Sequence, residues 1–171
     1  MVATLASTAS HAEVTAIFSA GADCSGKPSA QFRPGGPDVQ VTLCLRATEE
    51  SACGHSVQLE AEDKAASGMF LVVGHKAGAS FADATMGKIR KPVAITNPAS
   101  TNDFGATGDK PATLKAMQPI VTFTLRPARK AKNAAYEIRL GKNSLVSIGK
   151  DGSCLQNSEA PISASMQLLR K

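Results

Sequence analysis

An antiparallel β-sandwich of about nine short strands, on a Greek-key or jelly-roll path, is the fold this sequence predicts. Three observations carry it. Apolar and polar residues alternate with period two in one run after another. Clusters of Gly, Pro, Asn and Asp punctuate those runs, and no stretch sustains a helical period.

The clearest run is residues 118–125, Gln-Pro-Ile-Val-Thr-Phe-Thr-Leu. Val121, Phe123 and Leu125 alternate with Thr122 and Thr124, the pattern of a strand with one buried face. Pro119 sits at its start, where a missing N–H is tolerated, and Pro127 stops it. Taken from the N-terminus, residues 13–20 read as a first strand and residues 29–33 as a short edge piece. In residues 38–47, Val39, Val41, Leu43 and Leu45 alternate with Gln40, Thr42 and Cys44, which puts Cys44 on the face opposite the aliphatics. Residues 48–54 read as a polar connection and 56–62 as another alternating strand. The apolar run 69–73 suits a strand covered on both sides or one at a sheet edge under a loop.

Between 83 and 115 the pattern weakens. Residues 88–96 suggest a strand interrupted at Pro92, and 97–111 a long polar loop. After the strand at 118–125 comes a basic, Ala-rich turn, 126–133, and then the alternation Tyr136, Ile138, Leu140. Residues 144–148 form a further short strand, Asp151-Gly152 a turn, and 162–168 a closing strand.

The chain of 171 residues suits one domain, here 13–171. Six Phe, one Tyr and no Trp predict a core of aliphatic residues and few exposed rings for stacking on sugars or bases. A net charge of +5, spread along the chain, does not describe a dedicated nucleic-acid domain. No segment approaches the length of apolar sequence that spans a membrane as a helix. Residues 1–12 end on Ser10-His11-Ala12, the small-x-small form of a signal-peptidase site. They read as the remnant of an export signal or, alternatively, as a disordered N-terminus.

Cys24, Cys44, Cys53 and Cys154 are even in number and contain no Cys-x-x-Cys pair. Two disulfides in an oxidising compartment fit this set, each contributing about 2–4 kcal/mol. Of the three pairings, Cys44–Cys53 with Cys24–Cys154 is the expected one: the first closes a local connection, the second ties an early segment to a late one. Four reduced, buried thiols are the rival arrangement.

Several segments resemble the cohesin-like family of β-sandwich modules, related in fold to a group of carbohydrate-binding modules. The match begins with Ser-Val-Gln-Leu-Glu-Ala-Glu-Asp at 56–63, Met-Phe-Leu-Val-Val at 69–73 and Gly-Ala-Ser-Phe at 78–81. It continues with Ala-Thr-Leu at 112–114, Pro-Ile-Val-Thr-Phe-Thr-Leu at 119–125, and the runs 136–140, 144–148 and 162–168. The resemblance covers about two thirds of the chain. It implies a nine-stranded jelly-roll and a non-catalytic role in extracellular binding or surface assembly.

Candidate chemistry is sparse. His11, His55 and His75 sit in no nucleophile or zinc-protease motif, and His55 and His75 read as turn residues. Asn97, Asn102, Asp103 and Asp109 place hard oxygen ligands in the long loop, the composition of a calcium site, without the spacing of a calcium-binding loop. Asp103 and Asp109 are the metal candidates. Arg126, Arg129, Lys130 and Lys132 form the densest positive patch, either a surface for an anionic partner or a solvated turn that discourages edge-to-edge association.

The function these observations predict is a secreted or periplasmic binding module without catalytic activity or resident cofactor. Its partner is a protein or a glycan at the cell envelope, met through the loop 97–110, the basic turn or an open sheet face. It is expected to be a monomer or weak oligomer. A structural subunit of a surface appendage is the alternative, and a small exported enzyme or enzyme inhibitor is a weaker one.

Overall fold

A computed structural model of the chain describes residues 13–47, 51–78, 81, 85–86, 89–99, 103–150 and 153–171. These contain fourteen strands and no α-helix. In chain order they are β1 (Val14–Ala20), β2 (Ser29–Phe32), β3 (Val39–Ala47), β4 (Ser51–Val57), β5 (Leu59–Ala61), β6 (Phe70–Ala77) and β7 (Thr85–Met86). There follow β8 (Val93–Ala94), β9 (Phe104–Thr113), β10 (Gln118–Pro127), β11 (Ala135–Leu140), β12 (Leu145–Lys150), β13 (Ser153–Pro161) and β14 (Ser165–Arg170).

The front layer is one sheet in the order β1-β3-β10-β6-β8. Strand β10 is its centre, antiparallel to β3 on one side and to β6 on the other. Val121, Phe123 and Leu125 are fully buried, as period two requires. The opposing layer is split into two sheets, β2-β14-β11-β5 and β13-β12-β4-β9-β7. Residues 51–61 pass from one of these to the other: β4 belongs to the latter and β5 to the former. A corner at Gln58 makes the switch, where its N–H donates to Ser144 Oγ and its carbonyl accepts from Gly141 N–H. The alternation of 56–62 therefore continues across a break between sheets.

The core lies between the layers. Its aliphatic bulk comes from Leu43, Leu45, Leu114, Ile120 and Ile138, but all six Phe are buried too. Four of them lie in two groups: Phe70 meets Phe32 and Tyr136 edge-on, with Phe32 tilted against Tyr136, and Phe104 meets Phe123 at 5.2 Å between ring centroids. Such pairs add roughly 0.5–1.5 kcal/mol each beyond their buried area.

The structure corrects several expectations. The sandwich of about nine strands appears as fourteen strand segments among the described residues, because long runs break at corners and short pieces pair at the sheet edges. Residues 51–54, expected within the polar connection 48–54, belong to strand β4 (Ser51–Val57), and 48–50 lie outside the described residues. Most of the expected loop 97–111 is strand β9. Its inward residues, Phe104, Ala106 and Ala112, are mostly alanine, too weakly apolar to reveal the alternation. Residues 153–161 form β13, and the closing strand starts at Ser165. Residues 1–12 and the turn at 151–152 lie outside the described residues.

The disulfides are Cys24–Cys44 and Cys53–Cys154. The expected Cys44–Cys53 and Cys24–Cys154 pairs do not form, because β3 and β4 lie in different layers. Cys24 sits in the loop after β1, which folds back on itself through Ala20 N–H to the Lys27 carbonyl. That fold brings it to β3, with 5.9 Å between the two Cα atoms.

Candidate functional site

Two surfaces have the construction of binding sites: the outer face of the third sheet, and a groove beside β2 that adjoins the basic end of the sandwich. The first is built by register. Leu145 of β12 lies opposite Ser56 of β4, which lies opposite Gly105 of β9. The next row is Ser147, Gly54 and Thr107. Ser56, Gly105, Leu145, Ser147 and Thr107 alternate with the buried His55, Ala106, Val146 and Ile148 and are at least partly exposed. Gly54 is buried, and a Cβ there would stand 2.6 Å from the Ala106 carbonyl oxygen. In these two rows the described side chains are short apart from Leu145. At its margin Asp103 accepts a hydrogen bond from Ser56 Oγ at 2.7 Å. On the edge strand β13, Leu155 is 96% exposed, beside the Cys53–Cys154 bridge.

That bridge joins two strands that flank β12. It passes Gly149, where a Cβ would stand 2.7 Å from Cys53 Sγ and 2.7 Å from the Ser153 carbonyl oxygen. Only a residue without a side chain fits between them.

The second surface begins at the turn after β10. Ala128 N–H donates to the Met69 carbonyl, and Gly68 N–H to the Ile95 carbonyl, so residues 62–69, 95–98 and 126–133 meet at one end. Arg126 donates through Nε and Nη2 to both carboxylate oxygens of Asp38, at 2.9 and 3.0 Å. The guanidinium holds the Asp38 carboxyl below its usual range. Arg129 lies along Gly35, which takes a positive φ of 62°, while Lys130 and Lys132 are exposed. Beyond Asp38 the groove opens to about 900 Å³ between β2 and the adjoining ends of β1 and β3.

Comparison with known proteins gives a clear structural result. Neither a protein-family model nor a curated protein matches the sequence. Solved structures do match. The third ScaB cohesin of R. flavefaciens, in complex with a group 1 dockerin, is 14% identical with a TM-score of 0.58, over 93% of this chain and 96% of that one. The fold is that of a cohesin module. A non-cellulosomal cohesin from Archaeoglobus fulgidus matches at 14% identity and a TM-score of 0.54, over 92% of this chain and 91% of its own. The cohesin module of a family 33 glycoside hydrolase from Clostridium perfringens matches at 13% and 0.55, over 93% and 98%.

On this cohesin-like frame the residues singled out in the sequence fall in different places. Asn97 is a brace: its Nδ2 donates to the carbonyls of Ala61 and Glu62 at 2.8 and 2.7 Å, and its N–H to Ser67 Oγ. Asp103 is committed to Ser56. The two do not share a ligand set. Asn102 and the side chain of Asp109 lie outside the described residues. Among the described residues no three His, Cys, Asp or Glu side chains gather as a metal site.

Arg126, Arg129, Lys130 and Lys132 do stay together, at the end shared with Asn97. The Lys132 carbonyl also accepts from the Arg170 guanidinium. His55 and His75 are not turn residues; they lie on β4 and β6. His55 is buried with its ring edge-on to Phe81, and among the described residues neither ring nitrogen has a partner in hydrogen-bond geometry. Burial pushes its pKa down to about 4, against the opposing influence of the Phe104 backbone and Asp103. The groove and the small-residue face were not apparent in the sequence, since each is assembled from segments far apart in the chain.

Proposed function

We propose that this chain is a non-catalytic, exported binding module that holds a protein partner in an extracellular or envelope assembly. The observation that carries the reading is the cohesin fold, matched over more than nine tenths of the chain. Several similar modules were solved with a dockerin bound, including one from Acetivibrio cellulolyticus. Two disulfides suit an oxidising compartment.

A protein fits better than a glycan. All seven aromatic rings, six Phe and Tyr136, are buried, so no described ring offers a sugar-stacking platform. The outer face of β12, β4 and β9 is the docking surface in this reading. Ser56, Gly105, Ser147 and Thr107 let a partner approach closely, with Leu145 as an apolar contact and Asp103 as an acceptor at the margin. Asn97, Arg126, Arg129, Lys130 and Lys132 at the sandwich end lie outside that contact.

Capture from an extracellular extract, with a glycan array run in parallel, tests the proposal. A partner protein should be retained by the native chain and lost with Ser147→Arg, while Lys130→Glu leaves capture intact. Equal capture by Ser147→Arg, or selective binding on the array with no protein captured, would overturn it.

A further inference from the structure

Strand β2 is the edge of its sheet: β14 pairs with it in parallel on one side, and the groove runs along β2 from the ends of β1 and β3 to Leu169 and Lys171 at the end of β14. Lys171 N–H donates to the Phe32 carbonyl, so Phe32 directs its backbone groups toward the β14 side. Ladder alternation then turns the N–H and carbonyl of Gln31 toward the groove. The floor is mixed, with Ala20, Val39 and Leu169 as apolar lining.

The charge around this edge is one-sided. Lys27, Arg33 and Lys171 line the groove and are exposed, and none has an ion-pair partner among the described residues. The one carboxylate side chain in the lining, Asp38, is already engaged by Arg126. We propose that this groove takes an extended acidic peptide segment, which adds as a strand to the free edge of β2 and sets its carboxylates against Lys27 and Arg33.

Strand addition uses the open backbone groups for affinity and the side chains alongside them for specificity. A second copy of this chain is disfavoured as occupant, because two β2 edges would bring Lys27 and Arg33 against their own kind. The proposal is independent of the partner assigned to the β12-β4-β9 face, and each can fail without the other.

The probe is a labelled, end-capped Glu-Val-Glu-Val-Glu-Val peptide, followed by fluorescence anisotropy on the full chain, with a Lys-Val repeat and an oligo-dT strand as comparisons. The acidic peptide should bind, more weakly as salt rises, and the Lys-Val peptide should not. Lys27→Glu with Arg33→Glu should weaken binding at least tenfold. Gln31→Pro removes the groove-facing donor and should also abolish binding; unchanged circular dichroism would show that the sheet survives. If Gln31→Pro does not fold, protection of the Gln31 amide from hydrogen exchange on peptide binding serves in its place. Equal binding of both peptides, no binding of either, or an interaction insensitive to the paired charge reversal would overturn the proposal. So would oligo-dT binding as tightly as the acidic peptide and ignoring Gln31→Pro.

Discussion

His55 stands edge-on to Phe81, ring centroids 5.7 Å apart, with both residues buried in the sandwich. An imidazole in that setting is a neutral core residue, and it links the stability of the fold to pH. Above about pH 6.5 the ring is neutral whether the chain is folded or not. Between pH 6.5 and about 4 the unfolded ring takes a proton and the folded one does not, so stability falls as the pH falls. The loss attributable to His55 reaches roughly 3 kcal/mol by the lower limit. Denaturant titrations at pH 7 and pH 4.5 should show a smaller drop for His55→Phe than for the native chain; parallel drops would contradict the assignment.

The two disulfides should contribute unequally. Cys53–Cys154 closes 101 residues and Cys24–Cys44 only 20. Loop-closure entropy gives about 5 kcal/mol for the first and about 3 kcal/mol for the second. Paired Cys→Ala variants, compared by denaturant unfolding, should keep this order. Removal of Cys24 and Cys44 proving the more damaging would count against it.

Gly149→Ala tests the steric gap beside the long-range bridge. The new methyl group meets backbone on one side and sulfur on the other, with no flexible chain end to move aside. We expect a loss of about 1–3 kcal/mol, as for overpacked cores. A fraction of the variant should fold without closing this bridge, leaving Cys53 and Cys154 as thiols that alkylation detects. An unaffected melting temperature with both thiols still protected would show that the strand adapts.

Asn97→Ala should weaken the corner at the end of β5, since the carbonyls of Ala61 and Glu62 lose their donor. A cost of about 1–2 kcal/mol follows for groups this close to the surface. Hydrogen exchange should speed up locally at residues 61–68, without a matching change in β10. An exchange increase spread evenly over the chain would indicate a global rather than a local role.

How far the sequence conveys this structure depends on side-chain size. Strands β3, β10 and β11 are apparent because Val, Leu, Ile and Phe face the core at every second position, and register depends on that burial. Strand β13, Ser-Cys-Leu-Gln-Asn-Ser-Glu-Ala-Pro, is an edge strand held chiefly by its backbone pairing to β12, and its side chains carry little alternation. The corner at Gln58 is hidden for the opposite reason: the alternation runs through it undisturbed while the hydrogen-bonding partners change. Disulfide partners depend on which strands face each other, information that spacing does not hold. The basic turn is contiguous in sequence and so was visible. The groove beside β2 draws on residues from Ala20 to Lys171, and the docking face on three separate strands.

The pairing of Cys53 with Cys154 also sets a constraint on biosynthesis. A ribosome makes Cys24, Cys44 and Cys53 well before Cys154, so Cys53 waits through about a hundred residues of translation with Cys44 only nine positions behind it. Early closure of Cys24 with Cys44 removes that wrong partner and leaves Cys53 a lone thiol until β12 has been laid beside β4. Timely closure of the short loop therefore guards the formation of the long one.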